Sequence, residues 1–591
     1  MGADQPRSSA GLPAQSDPQG EAGRSAPQPR DNRRKGDELP LRANLRVDPI
    51  TVEVIGNALS SIVDEMGETL VRAAYSTNVK ERRDSSTCLF DVRGRTLCQA
   101  MHIPMHLGSL MGVVEHLTAR HPLAEIREGD VFVGNDAYTG GGTHLPDIVM
   151  AEPIFFEGAV VAWATNIAHH ADFVDRGHAH IFQEGLRIPP VRLYREGQIQ
   201  QDLLDLILLN CQVPRERLND LRAQMAANRQ GIQRFQSLCR KYGKDLVLAA
   251  SDALLDATER MTRAGIATIP PGVYTFEDRF DTDEIPDEKI FKTRIEVKDG
   301  EISLHFDSPP QVRAGLNLVW TGLLATVYYA VKTLVGAEIP ANAGLFRPIR
   351  VSAPAGTMLN CVAPAAVNSR TQTCQRVVDL IHGALAPAIP DRIIAACNGA
   401  CVSSTFSGVN PRTGAFYVYL ETIGGGFGAR ASKDGLDGVH VHITNTSNLP
   451  VEALEAEYPL VVERYALVED SGGPGTWRGG LGIVRQIRAE DHECHAFVHA
   501  ARKRSAPWGL FGGHDGGRAR IEYGPGVEPP VRAQGFLKPG QTVAIITPGA
   551  GGYGDPRARD RALVRRDLAD GVISAEVARD VYGLMDQEMP S

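Results

Sequence analysis

The sequence predicts a mixed α+β protein of several domains, with long helices near the N-terminal half and strand-rich middle and C-terminal parts. Its 591 residues exceed what one hydrophobic core usually supports, so two or three domains are expected. Apolar residues recur at helical spacing early in the chain, whereas later segments alternate apolar and polar residues between glycine-rich turns. The predicted division is a disordered tail (1–45), an α/β domain carrying metal-binding motifs (46–270), a mixed α/β domain (271–480) and a glycine-rich β region with a C-terminal helix (481–591).

Two long helices are predicted in the α/β domain. The first begins after Asp48, a good N-cap residue, with Pro49 at the first helical position. Its apolar residues recur at helical spacing and would form one buried face: Leu59, Ile62, Met66, Leu70 and Ala73. The second helix is predicted from about Arg215 to Tyr242, and Gly243 follows it as a stop signal.

The tail over 1–45 is rich in Pro, Gln, Ser, Gly and Arg and has almost no large apolar residues. Such a segment cannot bury enough apolar surface to offset the entropy lost on ordering. We therefore expect it to be disordered and to play no part in the fold.

A hairpin is predicted where the middle domain begins. Asp299-Gly300 lies between two alternating segments, 293–297 and 302–306. Asp-Gly supplies the positive φ angles of a type I′ turn, which suits a two-residue connection between antiparallel strands. A helix is expected near 320–335, and a short helix from about Ser574 closes the chain.

Net charge, hydropathy and cysteine spacing exclude several classes of protein. The formal net charge of -9 argues against a general nucleic-acid binder, which needs a basic face. No apolar run approaches the roughly 20 residues of a membrane-spanning helix, and the N-terminus has no apolar signal core. The nine cysteines are scattered without framework spacing, as in reduced cytosolic proteins. We expect a cytoplasmic protein that acts on a small molecule and binds neither nucleic acid nor membrane.

The stretch "GGGTHLPDI" (140–148) is the first candidate metal site. His144 and Asp147 lie three residues apart, the preceding glycines allow close backbone approach, and Pro146 restrains the loop. Imidazole and carboxylate together suit manganese, iron or zinc. His-x-x-Asp alone is common, however, and a polar surface loop is an equally open interpretation at this point.

Two other polar clusters precede residue 180, "KERRD" (80–84) and "HHAD" (169–172). Neighbouring residues in a strand point to opposite faces, so at most one of His169 and His170 can face a shared site. Both clusters offer further imidazole and carboxylate groups to a metal ion.

The sequence matches none of the common nucleotide-binding loop motifs. The glycine-rich segment 424–428 is followed by Ser432-Lys433-Asp434-Gly435 and does not open an apolar helix, as a dinucleotide-binding loop would. Walker A spacing and a G-x-S-x-G nucleophile elbow are both missing from the sequence. Segment 424–428 is interpreted as a structural or substrate-facing turn.

Several stretches together resemble the hydantoinase B/oxoprolinase family, which includes the B subunit of N-methylhydantoinase and is related to the large subunit of acetone carboxylase. The matching text includes "KERRDSSTCLFDVRG" (80–94), "GDVFVGNDAYTGGGTHLPDI" (129–148), "NIAHHAD" (166–172) and "DSGGPGTWRGGLG" (470–482). The resemblance covers about residues 48 to 583.

The resemblance implies an enzyme subunit that works in a hetero-oligomer with a hydantoinase A-type partner. The partner would bind ATP and phosphorylate the substrate, and this chain would hold a divalent metal, manganese or zinc. The family's ligands, carried over to this sequence, are Glu81, His144, Asp147 and His169. Asp84 is the rival of Glu81 for the first position.

The activity implied is ATP-dependent opening of a cyclic amide such as a hydantoin, 5-oxoproline or a lactam. Metal-assisted water would attack the activated carbonyl carbon. The candidate acids and bases are His106, His170 and Asp172. Two alternatives stay open: a subunit of an ATP-dependent ketone carboxylase, and a non-catalytic scaffold for the A-type partner.

Overall fold

The computed structural model describes residues 46–170, 179–527, 534–585 and 587. The predicted tail over 1–45 lies outside this part of the chain. The described residues form long helices and four sheets, which confirms the mixed α+β class. None of the helices in these ranges combines the length and the apolar content needed to cross a membrane.

The N-terminal region is built on a seven-stranded antiparallel sheet, in the order β2-β1-β5-β4-β3-β6-β7. Its strands are β1 Ser85–Asp91, β2 Thr96–Gln99, β3 Val131–Gly134, β4 Asp147–Phe156, β5 Ala159–His169, β6 Val191–Arg195 and β7 Gln198–Ile199. Its helices are α1 Pro49–Ala73, α2 Thr77–Lys80, α3 His106–Ser109, α4 Val113–Arg120, α5 Gln201–Leu209, α6 Pro214–Tyr242 and α7 Lys244–Ile266.

The two predicted long helices are present. Asp48 caps α1, with its Oδ1 accepting a hydrogen bond from the backbone N–H of Thr51 at 3.0 Å. Helix α6 ends at Gly243, whose φ of 87° lies in the left-handed region. A third long helix, α7, begins directly after this glycine and was not predicted. Gly243 therefore acts as a sharp corner between two helices rather than as the end of helical structure.

Strand alternation divides the sheet between two apolar layers. Leu89 packs with residues of α1, α6 and α7 in one cluster, whereas its neighbour Phe90 packs with residues of α4 in another. Both layers exclude water from the central strands β4 and β5, so polar side chains on these strands need partners within the protein.

Glu152 on β4 is a buried carboxyl group in this sheet, and one of its oxygens, Oε1, has no hydrogen-bond partner in the described structure. Burial raises its pKa from 4.5 to about 8, against the opposing charge of Arg229. The folded state thus keeps a proton that the unfolded chain loses near its ordinary pKa. This group makes the free energy of unfolding fall as the pH rises from about 4.5 to 8.

We expect Glu152→Gln to flatten part of this pH dependence, because glutamine imitates the protonated acid and cannot ionise. The wild-type protein should lose up to about 1.4 kcal/mol of stability per pH unit through this group, and the variant should lose less. Urea unfolding at several pH values across this window measures the difference. Glu128→Gln, at an exposed position, is the control. Equal pH dependence in wild type and Glu152→Gln would contradict the assignment.

The middle region contains a second sheet in the order β11-β10-β9-β8, with β10 and β11 parallel. Its strands are β8 Gly272–Phe280, β9 Lys289–Lys298, β10 Glu301–Asp307 and β11 Ile349–Ser352. Its helices are α8 Trp320–Val335, α9 Ala343–Phe346 and α10 Arg370–Leu385. The predicted hairpin is confirmed: Asp299 and Gly300 have φ angles of 52° and 70° between β9 and β10. The helix predicted near 320–335 is α8.

Helix α10 is the central element of this region and was not predicted. All its residues except Thr371 are buried, so its sequence has no polar face to produce a helical pattern. Its polar side chains instead contact other buried groups, and Arg370 at its first turn reaches the site described below. The boundaries predicted for the domains stay predictions.

The C-terminal region is a sandwich of two four-stranded antiparallel sheets, ordered β13-β12-β16-β18 and β14-β15-β19-β17. The strands are β12 Val402–Val409, β13 Phe416–Ile423, β14 Leu460–Leu467, β15 Ile483–Ala489, β16 Cys494–His499, β17 Arg520–Tyr523, β18 Gln534–Leu537 and β19 Thr542–Ile546. The helices are α11 Val451–Glu457, α12 Arg561–Ala569 and α13 Ala575–Asp580. Helix α13, with Ser574 as its N-cap, is the predicted terminal helix.

The first sheet of the sandwich has two different faces. Val402 and Phe406 on β12 point into the apolar core between the sheets. Ser403 and Thr405 alternate with them and face the opposite side. This outer face looks toward the N-terminal sheet and α10, and the space between them is the candidate functional site.

Candidate metal centre

The loop 140–147 positions the first two site residues at the start of β4. Gly142 has a φ of 80°, and a Cβ there would lie 3.2 Å from Cβ of Asp147, so this turn suits glycine. The side-chain amide of Asn135 donates to the carbonyl oxygen of Leu145 at 2.9 Å and holds the loop. Asp147 is the first residue of β4, and its register partner is His169, the last residue of β5. The sheet itself therefore brings these two side chains together.

His144, Asp147 and His169 form one buried cluster, with exposed fractions of 3%, 1% and 8%. One donor atom from each lies within 4.8 Å of the other two, and His144 Nε2 is 3.1 Å from Asp147 Oδ1. Within the described residues neither of those last two atoms has a hydrogen-bond partner apart from the other. Unpartnered buried polar atoms are costly, and a cation between them would satisfy both.

The protonation states in the cluster also suit a cation. Burial would raise the pKa of Asp147, but its interactions with the His144 imidazole and the Arg370 guanidinium outweigh it and lower the pKa below its ordinary value. Burial lowers the pKa of His144 and His169, and the charge of Arg370 adds to the effect. An ionised carboxylate with two neutral imidazoles is the ligand set that a divalent ion requires.

Groups behind the cluster fix its geometry. His144 Nδ1 lies 3.1 Å from the carbonyl oxygen of Asn368, so a proton on Nδ1 would leave Nε2 free as a ligand. The Asn78 amide nitrogen lies 3.2 Å from His169 Nδ1 and donates to the His169 carbonyl oxygen at 2.7 Å. Arg82 in turn donates to Asn78 Oδ1 at 2.6 Å.

We expect Asn78→Ala to weaken metal binding by about 10- to 100-fold, the usual cost of losing a group that orients a ligand. The His169 ring would lose its lateral support while remaining present as a donor. Chelator competition measures the affinity, with Asn57→Ala, an exposed position on α1, as the control. Unchanged affinity in Asn78→Ala would show that packing alone holds the ring.

Arg370 is a site residue that the sequence pattern did not reveal. Its Nη2 donates to Asp147 Oδ2 at 2.7 Å, and its Nε donates to Thr143 Oγ at 2.6 Å. One carboxylate oxygen is thus held by the guanidinium and the other faces His144. No local signal distinguishes this arginine, because it approaches the loop from α10, more than two hundred residues away in sequence.

Glu81 and Asp84, the two rivals for the first ligand position, lie in different surroundings. Asp84 lines the same cavity as the cluster, and burial together with the charge of Asp147 raises its pKa to about 6, against the lowering effect of Arg82. Glu81 is exposed at the end of α2, on the side of Glu457. The one-turn helix directs Arg82 inward, and Arg83 then takes a φ of 55°, so the chain turns Asp84 rather than Glu81 toward the site.

The three predicted acid–base residues have different positions. His106 lines the cavity, with Nδ1 2.9 Å from Ser86 Oγ and Nε2 3.9 Å from Asp147 Oδ1. Burial lowers its pKa to about 4, so it is neutral near pH 7. His170 points away toward α6, where its Nε2 lies 3.2 Å from Gln224 Oε1. Asp172 lies outside the described residues.

The opposite wall of the cavity comes from the outer face of the sandwich. Side chains from β12, β13 and β16 line it: Ser403, Thr405, Leu420, Thr422, Phe497 and His499. Ser403 Oγ contacts His499 Nε2, and Glu284 Oε1 lies 3.5 Å from His499 Nδ1. This wall offers hydroxyl groups to a polar ligand. In the sequence, only the alternation of apolar and polar residues along β12 could have indicated such a wall.

Comparison with known proteins identifies the family. The hydantoinase B/oxoprolinase family model matches residues 48–556, which is most of the chain. The chain belongs to this family. The resemblance seen in the sequence motifs is therefore confirmed.

Relatives with named activities include the caprolactamase subunit beta of Pseudomonas jessenii, 31% identical over 91% of this chain and 96% of its own. The crystal structure of the ATP-dependent caprolactamase from that organism superimposes with a TM-score of 0.83 at 30% identity, covering 91% of this chain and 96% of that one. The 5-oxoprolinase 1 of Arabidopsis thaliana is 31% identical over 86% of this chain, which corresponds to 42% of the plant protein.

A nucleotide-free structure of acetone carboxylase has the same fold, with a TM-score of 0.83 at 18% identity. The match covers 91% of this chain and 80% of the carboxylase chain. At this identity the likeness concerns the fold alone.

Proposed function

We propose that this protein is the B-type subunit of an ATP-dependent hydrolase that opens cyclic amides. The observation that carries the proposal is the buried His144–Asp147–His169 cluster, with two unpartnered donor atoms, at one wall of a cavity whose other wall bears hydroxyl groups. Two relatives at 31% identity are named for caprolactam and 5-oxoproline, both of them cyclic amides.

The proposed ligands of a divalent manganese or zinc ion are His144, Asp147, His169 and Asp84. Asp84 replaces Glu81 in this set because it lines the cavity, whereas Glu81 is exposed. When bound, such an ion supplies Lewis-acid polarisation of an oxygen atom. Arg370 contributes by holding Asp147 ionised and fixed in orientation.

Opening the ring requires water to add to the carbonyl carbon, the carbon–nitrogen bond to break, and the leaving nitrogen to take a proton. His106 is the proposed proton acceptor, because its imidazole is neutral and faces Asp147 across 3.9 Å. Ser403, Thr405 and Thr422 would bind polar atoms of the substrate on the opposite wall. His170 is not part of this proposal, since it faces α6.

An amide carbonyl is a poor electrophile, and transfer of the terminal phosphoryl group of ATP to its oxygen, with ADP leaving, provides the activation. Addition of water and cleavage of the carbon–nitrogen bond would then give an amine and an acyl phosphate, and a second water would release inorganic phosphate from it. We assign the phosphoryl transfer to an A-type partner subunit that binds ATP. Support comes from the caprolactamase of Pseudomonas jessenii, which is named an ATP-dependent enzyme and whose matching chain is named a subunit beta. The functional unit would then be a hetero-oligomer, in the cytoplasm where ATP is available.

The hydrolase is preferred to a ketone carboxylase because the relatives of at least 30% identity named above are amide-ring enzymes, while the carboxylase match shows the fold alone. It is preferred to a scaffold because a scaffold has no use for unpartnered donor atoms in a buried cavity.

The deciding experiment combines this chain with its A-type partner and supplies ATP with either a cyclic amide or labelled bicarbonate and a ketone. We expect ATP hydrolysis coupled to ring opening with the mixture and no ring opening by this chain alone. Label fixed into an organic acid, without amide opening, would favour the carboxylase. Ring opening by this chain alone without ATP would overturn both proposals.

A further inference from the structure

A second buried cluster of metal-binding side chains lies apart from the proposed centre. It consists of Asp379 on α10, Cys397 in the following loop, and His442, with exposed fractions of 3% or less. One donor atom from each of the three lies within 4.8 Å of the others. None of the three lines the cavity that contains His144 and Asp147.

The Asp379 carboxylate is held in the same way as the Asp147 carboxylate of the first cluster. Asp379 Oδ2 accepts from Arg502 Nη2 at 2.6 Å, and its Oδ1 lies 2.9 Å from His442 Nε2. In the first cluster, Asp147 Oδ2 is held by Arg370 and Oδ1 faces His144 Nε2. In both places an arginine fixes one oxygen and leaves the other directed at an imidazole.

The third donor differs, because it is a thiol. Cys397 Sγ accepts a hydrogen bond from the backbone N–H of Gly428 at 3.2 Å. The backbone N–H of Cys397 donates to Asp379 Oδ1 at 3.2 Å, so this residue is fixed to the carboxylate by its backbone and to Gly428 by its sulfur. His442 reaches the cluster from a left-handed backbone position, with a φ of 50°, which is uncommon for a residue other than glycine.

An unpartnered imidazole stands beside these three groups. His382 lies one turn after Asp379 on α10, is 3% exposed, and has its ring centroid 6.1 Å from that of His442. Over the described part of the chain neither of its ring nitrogens has a hydrogen-bond partner. A buried imidazole with both nitrogens unsatisfied is costly unless a ligand occupies one of them.

We propose that Asp379, Cys397 and His442, with His382 as fourth donor, form a second metal site that binds zinc. A thiolate with imidazole and carboxylate favours zinc, and a closed four-ligand shell is typical of structural zinc. Donor atoms of a tetrahedral zinc site are roughly 3.3–3.8 Å apart. Asp379, Cys397 and His442 already lie within 4.8 Å of one another, and zinc would widen the 2.9 Å contact between His442 and Asp379. His382, whose ring centroid lies 6.1 Å from that of His442, would have to move toward the ion.

A bound zinc ion would displace the protons that its ligands carry. Zinc there would tie α10 to the loops bearing Cys397 and His442, and α10 also delivers Arg370 to the first centre.

The test is cobalt(II) titration of the purified full-length chain after its metals have been removed with a chelator. The first cluster offers only nitrogen and oxygen donors, so a near-ultraviolet thiolate-to-cobalt charge-transfer band reports the second site alone. We expect this band in wild type, its loss in Cys397→Ser, and a fall of about one zinc ion per chain in that variant. Cys401→Ser is the matched control, because Cys401 lines the first cavity outside both clusters, and it should keep the band.

Absence of the band from the wild-type chain would overturn the proposal and leave a metal-free hydrogen-bond network in its place. Persistence of the band in Cys397→Ser, or its loss in Cys401→Ser, would also overturn it. If Cys397→Ser does not fold, the wild-type spectrum still decides, and His382→Gln should weaken the band without removing the thiol. His144→Ala should retain the band, so this result does not depend on the proposed hydrolase function.

Discussion

His144→Ala is expected to lose more than about 100-fold in affinity for a divalent ion, because groups that merely orient a ligand are already worth about 10- to 100-fold. Ring-opening activity with the partner subunit should fall with metal occupancy. Among the remaining proposed donors, Asp147 and His169 would keep their positions, since the pairing of β4 with β5 fixes both. Metal analysis and turnover measurements on the same preparation should therefore fall together, because both follow from loss of the metal ion.

Asp147→Asn should have a similar effect on metal binding for a different reason. The amide keeps the volume of the carboxylate but loses its charge, and Arg370 is then buried opposite a neutral group. We expect lower stability as well as metal loss in this variant. His305→Ala, at an exposed histidine on β10 whose Nδ1 lies 2.9 Å from Ser352 Oγ, is the control. Full metal occupancy in both His144→Ala and Asp147→Asn would contradict the proposed metal centre.

Features with local sequence signals were predictable, both in the fold and in the candidate site. Asp48 and Pro49 specify where α1 begins, and Asp299-Gly300 specifies a tight hairpin, because these signals act over a few neighbouring residues. The His144–Asp147 loop carries its chemistry in a single stretch, and the family resemblance connected it to His169. The proposed preference for Asp84 over Glu81 could not come from the sequence, because it rests on a left-handed backbone position at Arg83 that no local motif predicts.

The rest of the site depends on contacts between distant parts of the chain. Helix α10 is buried on nearly all sides, so its polar residues look irregular in sequence and give no amphipathic pattern. The cavity is lined by Arg370, His499 and the hydroxyl groups of β12 only because the sandwich packs against the N-terminal sheet. The Asp379–Cys397–His442 cluster likewise joins three segments that no local motif connects.

A second large effect, on stability, is expected from the sandwich that forms one wall of the cavity. Leu420 and Thr422 on β13 line the cavity, and Glu421 between them points into the core of the sandwich. Glu421 Oε2 lies 2.8 Å from Nε of Arg485 on β15, and both side chains are fully buried. The other carboxylate oxygen accepts from the Asn448 side chain at 3.0 Å and from the Leu449 backbone at 3.1 Å. This ion pair therefore joins the two sheets behind the cavity wall.

We expect Glu421→Ala to lower the free energy of unfolding by about 3–5 kcal/mol, because Arg485 would remain as an uncompensated buried charge. Chemical denaturation measures the loss. The matched control is Glu463→Ala, which breaks the ion pair with Arg488 between β14 and β15, where both side chains are about one-third exposed. Removing a pair of that kind usually costs only about 0–1 kcal/mol.

The double variant Glu421→Gln/Arg485→Met separates lost charge compensation from lost packing. Replacing both charges leaves no buried ion without a partner, so much of the stability should return relative to Glu421→Ala. Ring-opening activity should recover with it, because Leu420 and Thr422 would regain a fixed strand. If Glu421→Ala proves no more destabilising than Glu463→Ala, the ion pair does not hold the cavity wall, and apolar packing between the sheets must position β13 instead.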